Sequence, residues 1–165
     1  MAAKQGNASI YQRGSKILSV PTALIGADQS EDGIWSGAGF IVLLEQGALM
    51  TAEAESNERL GEGLRRVLLR SEIVPPAPYP YDPAFDDKLA YAFGLKSKGR
   101  LYSGMRSCEV RWQRDEVLCK PLKRFRGGAF GAFPDNSGHD DVVVTFGASN
   151  TALGESLRQC LFRCL

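Results

Sequence analysis

The sequence has little material for metal or redox chemistry. Its 165 residues include one histidine and four cysteines, and no two cysteines form a Cys-x-x-Cys pair. A zinc ribbon or a thioredoxin-like redox site is therefore excluded, and we expect no metal and no cofactor. The cysteines are predicted to be reduced thiols packed in the core, with Cys160 and Cys164 on one face of a helix.

Long hydrophobic runs are also missing. The longest apolar stretch, residues 34–44, is interrupted by serine and glycine, and it falls short of the roughly 20 residues that a membrane helix needs. The opening MAAKQGNASIYQRGSK lacks the apolar core of a secretion signal. We therefore expect a cytoplasmic protein without a membrane partner.

The chain carries no strong net charge. Lys and Arg total 20 against 19 for Asp and Glu, which gives +1, whereas dedicated nucleic-acid binders usually have a strong positive field. The charge is uneven, however: residues 28–62 sum to −7 and residues 96–126 to +7.

Hydrophobic residues at 44% and charged residues at 24% are typical of a globular protein, and the length predicts a single domain over residues 1–165.

An internal repeat is the most informative feature. Residues 55–72, ESNERLGEGLRRVLLRSE, match residues 148–165, ASNTALGESLRQCLFRCL, at 9 of 18 positions. In both copies apolar residues recur at i, i+4, i+7 and i+8, which predicts two amphipathic helices. The apolar positions are Leu60, Leu64, Val67 and Leu68 in the first copy and Leu153, Leu157, Cys160 and Leu161 in the second.

Other positions of the repeat predict how these helices begin and pack. Ser56 and Ser149 are N-cap candidates. Gly61 and Gly154 cost helix stability, so their recurrence indicates close approach to another backbone. The outer, solvated side is assigned to Glu62, Arg66, Glu155 and Arg158.

The strand signals predict an α+β fold. A strand-like stretch precedes each helix, which makes a repeated strand–loop–helix unit at residues 48–72 and 141–165. Further strands are predicted at residues 16–20, 39–44, 101–102, 107–112 and 116–120, the last two joined through Arg114-Asp115 as a hairpin. The result is an antiparallel sheet of about five or six strands with two similar amphipathic helices packed on it. Residues 74–85 hold five prolines and read as a surface connection, followed by a short helix at residues 86–93.

The sequence contains no group of residues with the spacing that a catalytic site would need. His139 lies in the stretch DNSGHDD with Ser137 and Asp140, and three such residues crowded together are a poor triad. The glycines of residues 33–40 precede an apolar run instead of a helix, which is typical of a turn before a buried strand. We therefore predict no enzymatic activity and no catalytic residues.

Aromatic and acidic residues cluster in two places that suit a protein partner, since tyrosine supplies contact area and carboxylates steer a basic protein. The predicted partner-binding residues are Tyr79, Tyr81, Asp82, Asp86 and Asp87 in the first cluster and Asp135, Asp140 and Asp141 in the second.

Three stretches carry a resemblance to a known family. AYAFGLKSKGRLYSGMRSCEV (residues 90–110), VLCKP (117–121) and SNTALGESLRQCLFRC (149–164) resemble, in order and spacing, the immunity proteins of bacterial contact-dependent growth inhibition (CDI) systems. The matching positions are Phe93-Gly94, Lys96, Lys98, Met105, Cys108, Lys120-Pro121, Leu153-Gly154, Leu157-Arg158 and Arg163-Cys164. Where family members often have two histidines and a tryptophan, this chain has Leu122-Lys123-Arg124-Phe125, so no role of those histidines carries over.

The resemblance implies a cytoplasmic protein that binds and neutralises the C-terminal toxin domain, commonly a nuclease, of a cognate CDI effector. Two alternatives stay open. One is a small metal-dependent hydrolase built on His139, Asp135, Asp140 and Asp141. The other is an RNA-binding module that uses residues 96–126, with Tyr102, Trp112 and Phe125 as stacking residues.

Overall fold

The computed structural model describes residues 5–25, 28–36, 39–42, 44–45, 47–73, 83–125, 130–134 and 137–165. In these residues the strands are β1 (Gln5–Arg13), β2 (Lys16–Ile25), β3 (Asp28–Gln29), β4 (Trp35–Ser36), β5 (Gly39–Val42), β6 (Leu49–Ala52), β7 (Glu72–Ile73), β8 (Arg106–Gln113), β9 (Glu116–Arg124), β10 (Phe130–Ala132) and β11 (Val142–Thr145). The helices are α1 (Asn57–Leu69), α2 (Phe85–Ala92) and α3 (Asn150–Phe162), with a 3-10 turn at Lys98–Arg100.

One large sheet organises the domain. Its strands follow the order β10-β9-β8-β1-β2-β5, while β11 also pairs with β9, and β6 and β7 with β2. Pairing is antiparallel except between β2 and β7, and β3 and β4 form a separate two-stranded hairpin. The α+β class and the antiparallel sheet are therefore confirmed.

One strand prediction was wrong, and one strand was missed. Residues 101–102 form a turn that follows the 3-10 segment Lys98–Arg100. The prediction also missed β1, whose residues pair with β2 on one side and with β8, about a hundred positions later, on the other. The β8–β9 hairpin lies at Arg114-Asp115 as expected, with Arg114 in the left-handed region at φ 57°.

Helices α1 and α3 cover one face of the sheet and begin at the predicted caps. Ser56 Oγ accepts the backbone N–H of Arg59 at 3.2 Å, and Ser149 Oγ accepts that of Ala152 at 3.1 Å. The apolar stripes of both helices are buried against the sheet, together with Ile10 and Val110. The short helix predicted at residues 86–93 is confirmed as α2, shifted by one residue.

The two glycines explain how closely the helices approach each other. A Cβ added to Gly61 would lie 1.7 Å from the carbonyl oxygen of Asn150, and one added to Gly154 would lie 1.9 Å from that of Asn57. Asn57 and Asn150 are the first residues of α1 and α3. Each helix therefore presents its glycine to the beginning of the other, which confirms the predicted close backbone contact.

An arginine from each helix reinforces this contact. Arg158 donates to Asn57 Oδ1 at 2.6 Å, to the carbonyl oxygen of Glu53 at 2.7 Å and to that of Glu55. Its repeat counterpart Arg65 donates to Asn150 Oδ1 at 3.0 Å and to carbonyl oxygens of the loop that precedes α3. The assignment of Arg158 to the solvated side was therefore wrong, because its long side chain reaches back to the loop that precedes the partner helix.

All four cysteines are buried free thiols, which confirms that they pack in the core. The predicted common helix face for Cys160 and Cys164 was wrong, because α3 ends at Phe162 and Cys164 lies beyond it. Burial raises the pKa of the Cys108 and Cys119 thiols. Hydrogen bonds within the cluster, together with burial, raise the pKa of Cys160 and Cys164. Neutral, buried thiols behave as small apolar side chains, which suits a packing role.

Candidate functional site

The second face of the sheet, opposite α1 and α3, is divided into two halves. Over one half, α2 and the segment after it pack on Leu18, Val20 and Tyr11. Burial raises the pKa of Tyr11 to about 12. The other half, on β1, β8 and β9, carries mainly polar side chains and opens into a cavity.

This polar cavity has a volume of about 190 Å³. The described residues that line it are Asn7, Ala8, Ser9, Thr22, Glu109, Val110, Arg111, Leu118, Lys120 and Asp141. Strand register places its polar side chains in rows, because residues directly opposite each other in a sheet point to the same face. In one row Thr22, Asn7 and Arg111 follow one another, and in the next Glu109 stands between Ser9 and Lys120. Asn7 and Thr22 are placed opposite each other because they directly follow the last paired residues of β1 and β2, Ala8 and Pro21.

The charged groups of this cavity are not paired with one another. Glu109 and Lys120 are cross-strand partners, yet neither they nor Arg111 form an ion pair within 4.0 Å in the described residues. Beneath them Asn7 is 5% exposed and Thr22 2% exposed. Their side chains have no hydrogen bond within the described part of the chain. In the part of the chain that the structure describes, the cavity thus offers two charges of each sign and two polar side chains without a hydrogen bond or ion pair.

A groove containing His139 adjoins the cavity and shares Lys120 and Asp141 with it. The His139 ring stacks on Phe133 with 3.9 Å between ring centres, and its Nδ1 lies 2.6 Å from the carbonyl oxygen of Arg163. The Arg163 guanidinium in turn donates to the carbonyl oxygen of Asp140 at 2.8 Å. His139 thus helps to hold the loop in place.

The predicted acidic residues fall at two different sites. Asp140 and Asp141 lie exposed beside the His139 groove, in the segment that leads into β11. Asp86 and Asp87 lie in the first turn of α2, where Asp86 accepts a hydrogen bond from the hydroxyl of Tyr102 and Asp87 pairs with Lys98 at 3.7 Å. The other predicted contacts, Tyr79, Tyr81, Asp82 and Asp135, lie outside the described residues.

The two alternative chemistries find little support in the arrangement. Trp112 is 4% exposed and stacks on Phe146, so it cannot serve as a platform for RNA bases. Tyr102 is tied to Asp86 and packs edge-on against Phe130, which leaves Phe125 as the exposed aromatic of the proposed set. Among the described residues no three His, Cys, Asp or Glu side chains are arranged to hold a metal ion.

Sequence reasoning missed Glu109 and Arg111. A signal was available, since polar and apolar residues alternate along SCEVRWQ, residues 107–113, as they do in a strand with one face in the core. That pattern showed which side chains leave the core, but the cavity also needs β1, whose pairing the sequence did not reveal. Lys120 entered only as a family motif position, and the structure places it where the cavity and the groove meet.

Several other family motif positions are structural. Phe93 and Met105 are buried in the second-face cluster, and Gly94 has φ +74°. In the described part of the chain, no helix combines the length and the apolar character that membrane crossing requires.

Comparisons with known proteins agree with this arrangement. A protein of unknown function from Neisseria meningitidis has the same fold, with a TM-score of 0.79 and 16% identity over 100% of this chain and 98% of its own. A structure described as the CdiA-CT/CdiI toxin and immunity complex from Yersinia pseudotuberculosis gives a TM-score of 0.78 and 21% identity over 98% of each chain.

Sequence comparison points the same way. The immunity protein CdiI-YPIII of Yersinia pseudotuberculosis serotype O:3 is 30% identical over 77 residues, which are 47% of this chain and 43% of that protein. The alignment therefore spans less than half of the relative. The family described as CdiI, CDI immunity protein, matches residues 34–164, well over half of the chain. This chain belongs to the CDI immunity protein family.

Proposed function

We propose that this chain binds the C-terminal toxin domain of its cognate CDI effector in the cytoplasm and thereby neutralises it, and that the toxin is a nuclease. The observation that carries the proposal is the family match over residues 34–164. The fold shared with a chain of a toxin and immunity complex supports it.

The proposed mechanism is occlusion by a preformed surface. Nuclease grooves are basic because they hold phosphates, so a protein that covers such a groove benefits from exposed carboxylates. Asp140 and Asp141 offer carboxylates beside the open half of the sheet, and Asp87 offers one on α2. We extend the proposed contact surface to Asp86 and to Tyr79, Tyr81, Asp82 and Asp135.

No reacting group is required in this mechanism, and we propose that the chain is not an enzyme. His139 supports this view, since its ring stacks on Phe133 and its Nδ1 contacts a backbone carbonyl oxygen. Inhibition should therefore be stoichiometric, reaching completion at one chain per toxin domain and showing no turnover.

The test uses the C-terminal toxin domain encoded beside this chain. Expression of that domain alone should stop growth, and co-expression of this chain should restore it, whereas the toxin domain of an unrelated CDI system should remain lethal. Purified chain and toxin should form a complex in isothermal titration calorimetry. A toxin that kills equally well with and without this chain, and shows no binding, would refute the proposal.

The nuclease assignment needs a separate assay. Purified toxin domain is incubated with total RNA and with plasmid DNA, and one equivalent of this chain should abolish the cleavage. A toxin that binds this chain but degrades neither substrate would refute the nuclease assignment and leave the immunity role standing.

A further inference from the structure

The polar cavity on the second face contains polar side chains without a hydrogen bond or ion pair among the described residues. Polar side chains in buried positions are normally hydrogen-bonded. Asn7 and Thr22 are more than nine-tenths buried, yet their side chains bond to nothing in the described residues. Every side-chain nitrogen or oxygen fully shielded from solvent has a partner there. The free groups of Asn7 and Thr22 must therefore be reached through the cavity.

The charged side chains above them also form no ion pair with other described residues. Glu109 and Lys120 stand directly opposite each other on β8 and β9, where a cross-strand ion pair would form readily, but no such pair exists within 4.0 Å. Arg111 and Asp141 also line the cavity, so its lining includes, among the described residues, two positive and two negative side chains. Such a lining does not favour an occupant of one sign; it favours one whose charges match the pattern.

We propose that this cavity is the specificity pocket for the toxin, and that it receives a mixed-charge segment of the toxin surface. A basic side chain of the toxin lies against Glu109 and Asp141, and an acidic one against Arg111 and Lys120. Asn7 and Thr22 hydrogen-bond to the polar groups that enter between them. This inference rests on the proposed function, and it names the residues that choose one toxin over another.

The physical basis is that charge pattern discriminates more strongly than net charge. A partner with the wrong arrangement would place like charges together or leave a charge desolvated and unpaired, and either outcome weakens binding strongly. A volume of about 190 Å³ accommodates side chains and not a whole domain, so the rest of the interface can vary without changing this selection.

The double variant Glu109→Lys/Lys120→Glu tests the proposal. It keeps composition, net charge and the opposite-charge cross-strand pair, so we expect an unchanged melting temperature. Because it reverses the pattern that the toxin meets, the Kd for the cognate toxin domain should rise about 100-fold or more, measured by isothermal titration calorimetry.

The matched control is Glu62→Arg/Arg66→Glu. Both residues are exposed on α1, which packs on the other face of the sheet, and the control also exchanges two opposite charges. Its Kd should stay within about twofold of the wild-type value, since surface pairs contribute little. Arg111→Gln, a milder change, should raise the Kd about tenfold or more, and it decides the question if the double variant fails to fold.

The outcomes separate this inference from the proposed function. Wild-type binding with unchanged affinity in the folded double variant, or in Arg111→Gln, would overturn the pocket and leave the immunity role intact. Equal loss in the α1 control would also overturn it, because the effect would then be one of overall charge distribution. If the wild-type chain itself does not bind the toxin domain, the proposed function and the inference fall together.

Discussion

Replacing Gly61 by alanine should destabilise this protein, although the same change in an ordinary helix stabilises it. Alanine is favoured over glycine in a helix interior by about 0.5–1 kcal/mol. At position 61, however, the new methyl group would lie 1.7 Å from the carbonyl oxygen of Asn150. The obstacle is backbone and not a side chain that could rotate away, so α1 and α3 would have to separate by more than 1 Å.

Gly63 provides a control two residues away in the same helix. A Cβ there would meet only the end of the Leu49 side chain, at 3.8 Å, an ordinary van der Waals contact. Gly63→Ala should therefore stabilise the fold by about 0.5–1 kcal/mol. Gly61→Ala should cost about 1–3 kcal/mol, the usual range for overpacking, even after the helix-propensity gain.

Urea denaturation followed by circular dichroism gives the free energy of unfolding of both variants, and thermal denaturation gives their melting temperatures. For a domain of this size 1 kcal/mol corresponds to about 2–4 °C in melting temperature, so the two variants should move apart in opposite directions. A Gly61→Ala protein as stable as the wild type would refute the close contact between α1 and α3. A Gly63→Ala protein destabilised as much as Gly61→Ala would show that the helix, and not its contact with α3, requires glycine.

Three further predictions concern stability. Arg158→Ala removes three hydrogen bonds to the loop and first residue of α1, so its free energy of unfolding in urea should fall by about 2 kcal/mol or more, while the exposed control Arg66→Ala should change little. Tyr102→Phe leaves the Asp86 carboxylate without its donor and should lower the melting temperature, which Tyr91→Phe, at an 84% exposed position, should not do. The buried thiols have raised pKa values and stay neutral in the fold, whereas unfolded thiols ionise near pH 8.5. Unfolding is therefore favoured as pH rises above that value, by about 1.4 kcal/mol per pH unit for each thiol, and urea titrations under reducing conditions from pH 7 to 10 that show constant stability would contradict this. The thiols concerned are Cys108, Cys119, Cys160 and Cys164.

The candidate site was only partly visible in the sequence, because its residues come from strands that lie far apart in the chain. The sequence marked Asp140 and Asp141 as members of an acidic cluster, and the structure places both of them exposed beside the His139 groove. It marked Asp86 as a member of the cluster around Tyr79 and Tyr81, but the fold ties Asp86 to Tyr102. The place of Glu109 in the cavity depends on the position of β8 between β1 and β9, which puts Glu109 between Ser9 and Lys120.

The sequence by itself determined the features that depend on neighbours within a few turns of chain. The caps at Ser56 and Ser149, the apolar stripes and the β8–β9 hairpin follow from local hydrogen bonding and from the 3.6- and 2-residue periods. The repeat also predicted that Gly61 and Gly154 approach another backbone closely.

Tertiary structure decided which backbone each glycine meets, where β1 pairs, and which polar side chains share a cavity. These features join residues tens to a hundred positions apart, such as Asn7 with Arg111 and Arg158 with Asn57. Local propensity does not determine such contacts, because the free energy that selects them comes from burying the whole sheet and both helices at once.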